Sequence, residues 1–187
     1  MKKFTAEGIS LGDSLSNFFS EKEIKDHIED TYSYIEDKTF IQSSLYNFSF
    51  FKEYKGLDAV IKNNDPNYKV YAIGGIIEYL HPNPFYREIA FDNLFKKQEE
   101  IINKYSLLFP DAKKNEKYVR HPGDPTGKSI LKYTSLTLES NDTIMVEVCD
   151  WSDYVPFKSN LKVSILSEEF NKWLTLNQTL NQRQKLN

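Results

Sequence analysis

The chain has 187 residues, of which 40% are hydrophobic, 27% are charged and 14% are aromatic, and its formal net charge is −3. A chain of this length is expected to form about one domain, and its composition excludes the disordered and collagen-like classes. The negative net charge argues against a protein that neutralises nucleic-acid phosphates over a whole face.

The cysteine content and the terminal sequence indicate the compartment. The single cysteine, Cys149, excludes an internal disulfide framework and a zinc site built from several cysteines. Glu7 and Gly8 follow the N-terminal lysines closely, so the apolar part of a secretory signal is missing. The apolar stretch at 70–80 is far shorter than the roughly 20 residues that span a bilayer. We therefore expect a soluble, cytoplasmic protein without membrane contact, cofactor or metal.

The first half of the chain predicts short helices followed by strands. Ser20 and Glu23 have the spacing of a capping box, which predicts a helix start. Aromatic and β-branched residues after position 39 favour strands, and the run 63–67 is rich in turn formers. The apolar residues in 68–80 fall on both faces of a strand, which predicts either burial on both sides or a bend at Gly74-Gly75. The predicted elements are helices over 15–19 and 21–30 and strands within 39–54, 57–62 and 68–80.

The second half predicts a long helix, a polar loop, three strands and a last helix. Asp92 is a suitable cap for a helix that runs to about 109, with Ile102 at the centre of its apolar stripe. The polar segment 111–128 predicts a loop, and Ser167 is expected to cap the last helix. Strands are predicted at 130–139, 143–151 and 161–166, and the polar tail 177–187 is expected to fray.

These elements predict an α+β fold in two layers, with an antiparallel sheet or sheets covered by helices. A single domain over residues 1–176 is the simplest reading. The element order also suggests two α-β-β-β halves, 1–84 and 85–176, and it leaves open whether they share one sheet.

The run that follows the strand 143–151 is the candidate binding site. Loops at the end of a core strand often carry sites, and this run combines acids with aromatic residues. Strand alternation turns Asp150 toward the core side, where it needs hydrogen bonds from the next turn or a loop cation such as Arg120 or Lys128. The candidate binding residues are Asp150, Trp151, Asp153, Tyr154, His121, Arg120 and Lys128.

Two other functions stay open at this point. A small hydrolase-like enzyme would use Asp150, Asp153 and a loop histidine, either His81 or His121. Weak nucleic-acid binding would use the basic cluster in 113–128. The basic residues of that cluster are Lys113, Lys114, Lys117, Arg120 and Lys128.

The segment from Gly123 to Ser129 has a superficial likeness to a phosphate-binding loop. The motif needs four residues between its glycines, whereas three separate Gly123 from Gly127. It should also open a helix, and here a strand is predicted to follow. We therefore predict that this segment does not bind nucleotides.

Several segments carry a resemblance to known families. The segments 8–15 and 18–24 resemble the opening of a family of small uncharacterised proteins from marine bacteria with AT-rich genomes, and 68–75, 127–129, 149–152 and 161–165 look similar too. The turn at Gly12-Asp13-Ser14, followed by short helices and a meander, is similar to the BamE and β-lactamase-inhibitor-protein type of fold. Members of that fold type bind other proteins, so the resemblance implies an interaction module. We interpret the chain as an intracellular module that binds another protein, ahead of the enzyme alternative.

Overall fold

The computed structural model describes residues 3–32, 35–78, 87–121, 124, 126–152, 154 and 159–184. A short 3-10 helix, Leu15–Asn17, opens the chain. The helices are α1 (Glu21–Asp26), α2 (Arg87–Leu108) and α3 (Glu168–Gln184). The strands are β1 (Ile28–Glu29), β2 (Phe40–Tyr46), β3 (Gly56–Lys62), β4 (Val70–Glu78), β5 (Lys113–Arg120), β6 (Ile130–Thr137), β7 (Thr143–Asp150) and β8 (Asn160–Leu166).

The eight strands form one antiparallel sheet in the order β1-β2-β3-β4-β8-β7-β6-β5. Each half of the chain forms a four-stranded meander, and the last strands of the two meanders pair with Ile73 opposite Ile165. The α+β class and the antiparallel sheet are confirmed. The structure also answers the open question about the halves, because they share a single sheet.

The helices lie on both faces of the sheet, so the expectation of two layers is corrected to three. Leu94 and Ile102 of α2 pack in one buried cluster with Val146 of β7. Phe170 of α3 packs in a second buried cluster with Val60 of β3. Neighbouring strand residues point to opposite faces, and β4 has apolar residues on both, with Ile73 in the first cluster and Ala72 in the second, so each face needs its own cover.

Helix α1 begins as predicted and ends earlier than predicted. The Ser20 side chain accepts a hydrogen bond from the backbone N–H of Glu23, and the Glu23 carboxylate accepts one from the N–H of Ser20. The capping box is therefore confirmed. The helix stops at Asp26 rather than near residue 30, because Ile28 and Glu29 pair with β2 as a short edge strand.

Helix α2 corrects the predicted position of its cap. The helix begins at Arg87, so Asp92 lies inside it as an exposed residue and is not the cap. An aspartate costs only a few tenths of a kcal/mol in an exposed helix interior, so the upstream residues can continue the helix. The predicted end is close, since the helix stops at Leu108, just before Pro110.

The polar segment 111–128 is not a continuous loop, because it contains β5. All eight residues of β5 are exposed, and the strand pairs with β6 along its whole length. The sequence pattern gave no sign of it, since an exposed strand at the edge of a sheet needs no apolar alternation.

The cap of α3 is as predicted. The backbone N–H of Phe170 donates to the Ser167 hydroxyl at 3.2 Å. The helix extends to Gln184 and so includes most of the segment 177–187, whose fraying stays a prediction. Trp173 fixes the helix to the loop before β2, because its indole N–H donates to the Asp37 carboxylate at 2.8 Å.

In the described part of the chain, no helix is both long and apolar enough to cross a bilayer.

The packing of α2 on the sheet gives a first testable prediction. Ile102 is 5% exposed and lies in the cluster beneath α2, so Ile102→Ala should lower the free energy of unfolding by about 2 to 5 kcal/mol. Leu107, on the same helix, is 79% exposed, and Leu107→Ala should change it by less than about 0.5 kcal/mol. Urea denaturation followed by circular dichroism measures both. Equal values for the two variants would contradict the packing of α2.

Candidate interaction surface

The outer edge of the sheet at β5 is the first part of the candidate surface. Among the described residues, β5 pairs only with β6, in register from Lys113 opposite Thr137 to Arg120 opposite Ile130. A strand that pairs on one side presents unpaired N–H and C=O groups on the other. This strand is eight residues long and exposed throughout, so it offers an accessible backbone edge to another chain.

The hydrogen bond that follows β5 shows which of its residues face outward. The N–H of His121 donates to the carbonyl oxygen of Ser129 at 2.8 Å, so His121 is bonded toward β6. Backbone groups alternate in direction along a strand. The N–H and C=O groups of Arg120, and of every second residue before it, therefore point away from the sheet. These outward positions are Lys114, Glu116, Tyr118 and Arg120.

The edge is basic in a chain that is acidic overall. β5 carries four cationic side chains and one carboxylate, which gives a net charge of +3, whereas the whole chain has −3. Glu116 forms an ion pair with Lys114 at 2.7 Å, and this contact lowers the pKa of its carboxyl. Two largely apolar side chains, Tyr118 and Val119, lie among the charges. Their exposed fractions are 65% and 39%.

The sequence-predicted binding residues that the structure describes lie at one corner of the sheet, next to the end of β5. The His121 and Trp151 rings lie together, with centroids 4.1 Å apart. The Lys128 ammonium lies 3.8 Å from the centroid of the exposed Tyr154 ring. The predicted residues Asp153 and His81 lie outside the described residues.

Two further predicted residues lie in the strands that lead to this corner. Arg120 pairs with Ile130, which in turn pairs with Asp150. Asp150 is half-buried at the end of β7, and Arg120 is exposed. The Arg120 side chain lies against Gly127, 3.6 Å from the position that a Cβ atom would take there.

Asp124 organises the loop between β5 and β6, and the sequence analysis missed this role. Its carboxylate accepts hydrogen bonds from the N–H and hydroxyl of Thr126 at 2.8 and 2.7 Å. The N–H and hydroxyl of Ser129 donate at 2.8 and 2.6 Å, and the Ser152 hydroxyl donates at 2.9 Å. One carboxylate thus joins the loop to the residues after β7. The order Asp124-Pro125-Thr126 is typical of an Asx-turn and was the available signal.

The environment of Asp124 affects two ionisable groups. The hydrogen bonds from Ser129, together with those from Thr126, hold the pKa of the Asp124 carboxyl far below its usual range. Burial lowers the pKa of His121, and the nearby Asp124 carboxylate opposes this effect only in part. His121 is therefore mainly neutral at pH 7, and it contacts Trp151 as an aromatic ring, with the two ring planes tilted by 46°.

The hydrogen bonds of Asp124 also bear on nucleotide binding by this loop. The loop amides of Thr126 and Ser129, which a phosphate-binding loop would direct at a nucleotide, already donate to Asp124.

Cys149 is 6% exposed, and burial, with Glu147 and Asp150 nearby, raises the pKa of its thiol to about 12. A thiol with that pKa is protonated at neutral pH and is a poor nucleophile.

In the described part of the chain, no three or more His, Cys, Asp or Glu side chains lie close enough together to hold a metal ion.

In comparisons with known proteins, no family model, no curated sequence and no solved structure matches this chain.

The hydrogen bonds of Asp124 give the second prediction. In Asp124→Ala, the Ser129 and Ser152 hydroxyls lose their shared acceptor, so the loop should open more often and the melting temperature should fall. Amide hydrogen exchange should accelerate at least tenfold at Thr126 and Ser129. Asp111→Ala, at an exposed position, is the control and should change neither. Unchanged exchange at Ser129 would refute the role of Asp124.

The third prediction concerns the pH dependence of the same contact. Because the pKa of Asp124 is lowered in the folded state, its stabilising effect is present above the ordinary aspartate value and is lost as the pH falls. The difference in melting temperature between the native chain and Asp124→Ala should be largest near pH 7. It should shrink steadily below about pH 4, which thermal melts across the acid range would show. A difference independent of pH would contradict this assignment.

Proposed function

We propose that the protein is a protein-binding module that pairs an extended acidic segment of its partner with β5, as a ninth strand of the sheet. The observation that carries this proposal is the exposed eight-residue edge strand with a net charge of +3. Strand addition to a free sheet edge is a common mode of peptide recognition, in which main-chain hydrogen bonds supply affinity and side chains supply selectivity.

The charge of β5 favours an acidic partner over a second copy of the chain. Two β5 strands side by side would bring like charges together, since each carries four cations and one carboxylate. Lysines on an edge strand are a recognised protection against self-association. The same lysines attract carboxylates, so one set of side chains rejects identical edges and selects acidic ones.

The corner beside β5 extends the surface. Tyr118 and Val119 lie on opposite faces of the strand and can contact partner side chains on either side. The Lys128–Tyr154 pair adds a cation held against an exposed ring, a combination suited to a polar interface. The loop fixed by Asp124 holds these groups next to the end of the edge.

The earlier resemblance and the cysteine chemistry agree with this proposal. The fold type of BamE and β-lactamase-inhibitor proteins, to which the opening turn is similar, includes binders of other proteins. Cys149 is a buried thiol, which suits the cytoplasmic location that we propose.

The fourth prediction tests strand addition by removing an outward N–H. The probe is a synthetic ten-residue peptide that alternates Glu with Val and Thr, titrated into the full chain by isothermal calorimetry. Glu116→Pro removes an outward donor without breaking the ladder with β6 and should weaken binding at least tenfold. Glu116→Ala is the matched control, and it should bind the peptide as well as or better than the native chain because it loses a negative charge.

A second pair of measurements tests the charge selectivity and separates peptide from nucleic acid. Lys117→Glu should weaken binding of the acidic peptide, and a peptide with Lys in place of Glu should not bind. A single-stranded oligonucleotide of equal charge would bind Glu116→Pro and Glu116→Ala alike if phosphates were the target. Tight oligonucleotide binding with no response of the peptide to Glu116→Pro would overturn the proposal in favour of nucleic acid. Native melting curves for both variants confirm that the sheet is intact.

A further inference from the structure

The sheet face beneath α3 carries a group of charged side chains away from the β5 edge. Lys162 of β8 forms an ion pair with Asp58 of β3, with 2.6 Å between Nζ and Oδ2. The side chains are 28% and 10% exposed. Removing charges from water is costly, so a pair at this depth calls for an explanation.

A hydrogen-bond network holds Asp58 in place. The Ser44 hydroxyl donates to its other carboxylate oxygen at 2.8 Å, and the Gln42 amide donates to the Ser44 hydroxyl at 2.9 Å. The Tyr32 hydroxyl closes the network with a longer contact of 3.4 Å to the Gln42 carbonyl oxygen. Asp58 is therefore fixed in position as the partner of Lys162.

Gly74 makes the ion pair sterically possible. β4 lies between β3 and β8, so the Lys162 side chain must pass over β4 to reach Asp58. A Cβ atom at position 74 would lie 2.8 Å from Cε of Lys162 and 2.9 Å from Cβ of Ser164. A glycine is needed there for space, because a side chain would block the path of the lysine.

The course of Lys162 leaves Glu147 without a direct ion pair to that lysine. Glu147 of β7 is directly opposite Lys162 in the β7–β8 register, where a cross-strand ion pair would be expected. The ammonium is directed to Asp58 instead, and no described side chain forms a hydrogen bond or ion pair with the Glu147 carboxyl. Burial raises the pKa of this carboxyl, and Asp58 raises it further, against the opposing effect of Lys162.

A cavity opens beside these groups. Its volume is about 150 Å³, and Glu147, Lys162, Asp58 and Ser164 lie on its polar side. Phe170 and Leu174 of α3 contribute to its apolar side. Pockets for drug-sized ligands start at roughly 300 Å³, so this cavity suits a group of only a few heavy atoms.

We propose that this cavity binds a primary ammonium group on a short aliphatic chain, with Glu147 as its counter-ion. The geometry supplies each element of such a site: a carboxyl whose cross-strand lysine is paired with Asp58 instead, a hydroxyl at Ser164, and apolar walls from α3 for the chain. The Asp58–Lys162 pair is neutral as a unit, so the cluster with an ionised Glu147 has a net charge of −1 and favours a cation. The source is either a free small amine or a lysine side chain of another protein.

The test uses n-butylammonium as the probe and the full chain at pH 7. Heteronuclear NMR should show saturable shifts of the Ser164, Met145 and Glu147 amides. Neither n-butanol nor sodium chloride at equal ionic strength should reproduce these shifts. Glu147→Gln should weaken binding at least tenfold, whereas Glu139→Gln, at an exposed position, should leave it unchanged.

A second variant tests the arrangement without altering the carboxyl that binds. In Asp58→Asn, Lys162 loses its ionised partner and becomes free to pair with Glu147, so butylammonium binding should again fall at least tenfold. Native melting and amide spectra confirm that each variant is folded. Binding that persists in Glu147→Gln, or no saturable shift up to 100 mM probe, would overturn the proposal.

The two sources are separated by a matched ligand. Nα-acetyl-lysine methylamide carries the same ammonium and aliphatic chain on a peptide unit. Affinity equal to that of butylammonium identifies a protein side chain as the source, whereas at least tenfold weaker binding identifies a free small amine.

Discussion

The pairing of β4 with β8 is the constraint on which the rest of the structure depends. It joins two four-stranded meanders into one sheet and places β4, which has apolar residues on both faces, at the centre. A sheet with an apolar centre on both faces requires a helix on each. α2 and α3 meet this requirement from opposite sides. The two edge strands, β1 and β5, are exposed to solvent.

The position of a strand in the sheet explains whether the sequence pattern predicted that strand. β4 has apolar residues on both faces, so its pattern was clear and its burial was predicted correctly. β5 lies at the edge, where solvent reaches every residue, and its composition is that of a polar loop. The layer count was wrong for a related reason: the apolar stripe of a helix shows that it covers a sheet and does not show which face.

The candidate sites were predicted less well than the fold, because they depend on contacts between distant positions. The sequence named Trp151, His121 and Lys128 as candidates one by one, and the structure brings them to one corner of the sheet. Asp124 was overlooked because its importance lies in hydrogen bonds that reach Ser152, beyond two strands. The Asp58–Lys162 contact joins residues 104 positions apart, and Gly74 is explained only once the path of the lysine is seen.

Exposure to solvent decides what a charged side chain costs at each position of the sheet, as it does for apolar residues. At the β5 edge, cations remain in water, cost little to expose, and act by attracting an opposite charge. On the face beneath α3, charges sit at reduced exposure, where each needs a counter-charge to offset its lost hydration. Asp58 and Lys162 satisfy each other there, and Glu147 does not share in the pair. An exposed cation on the edge costs little. A half-buried carboxyl without a direct ion pair is costly, so the structure gives a stronger reason to expect a ligand at Glu147 than at any single cation of the edge.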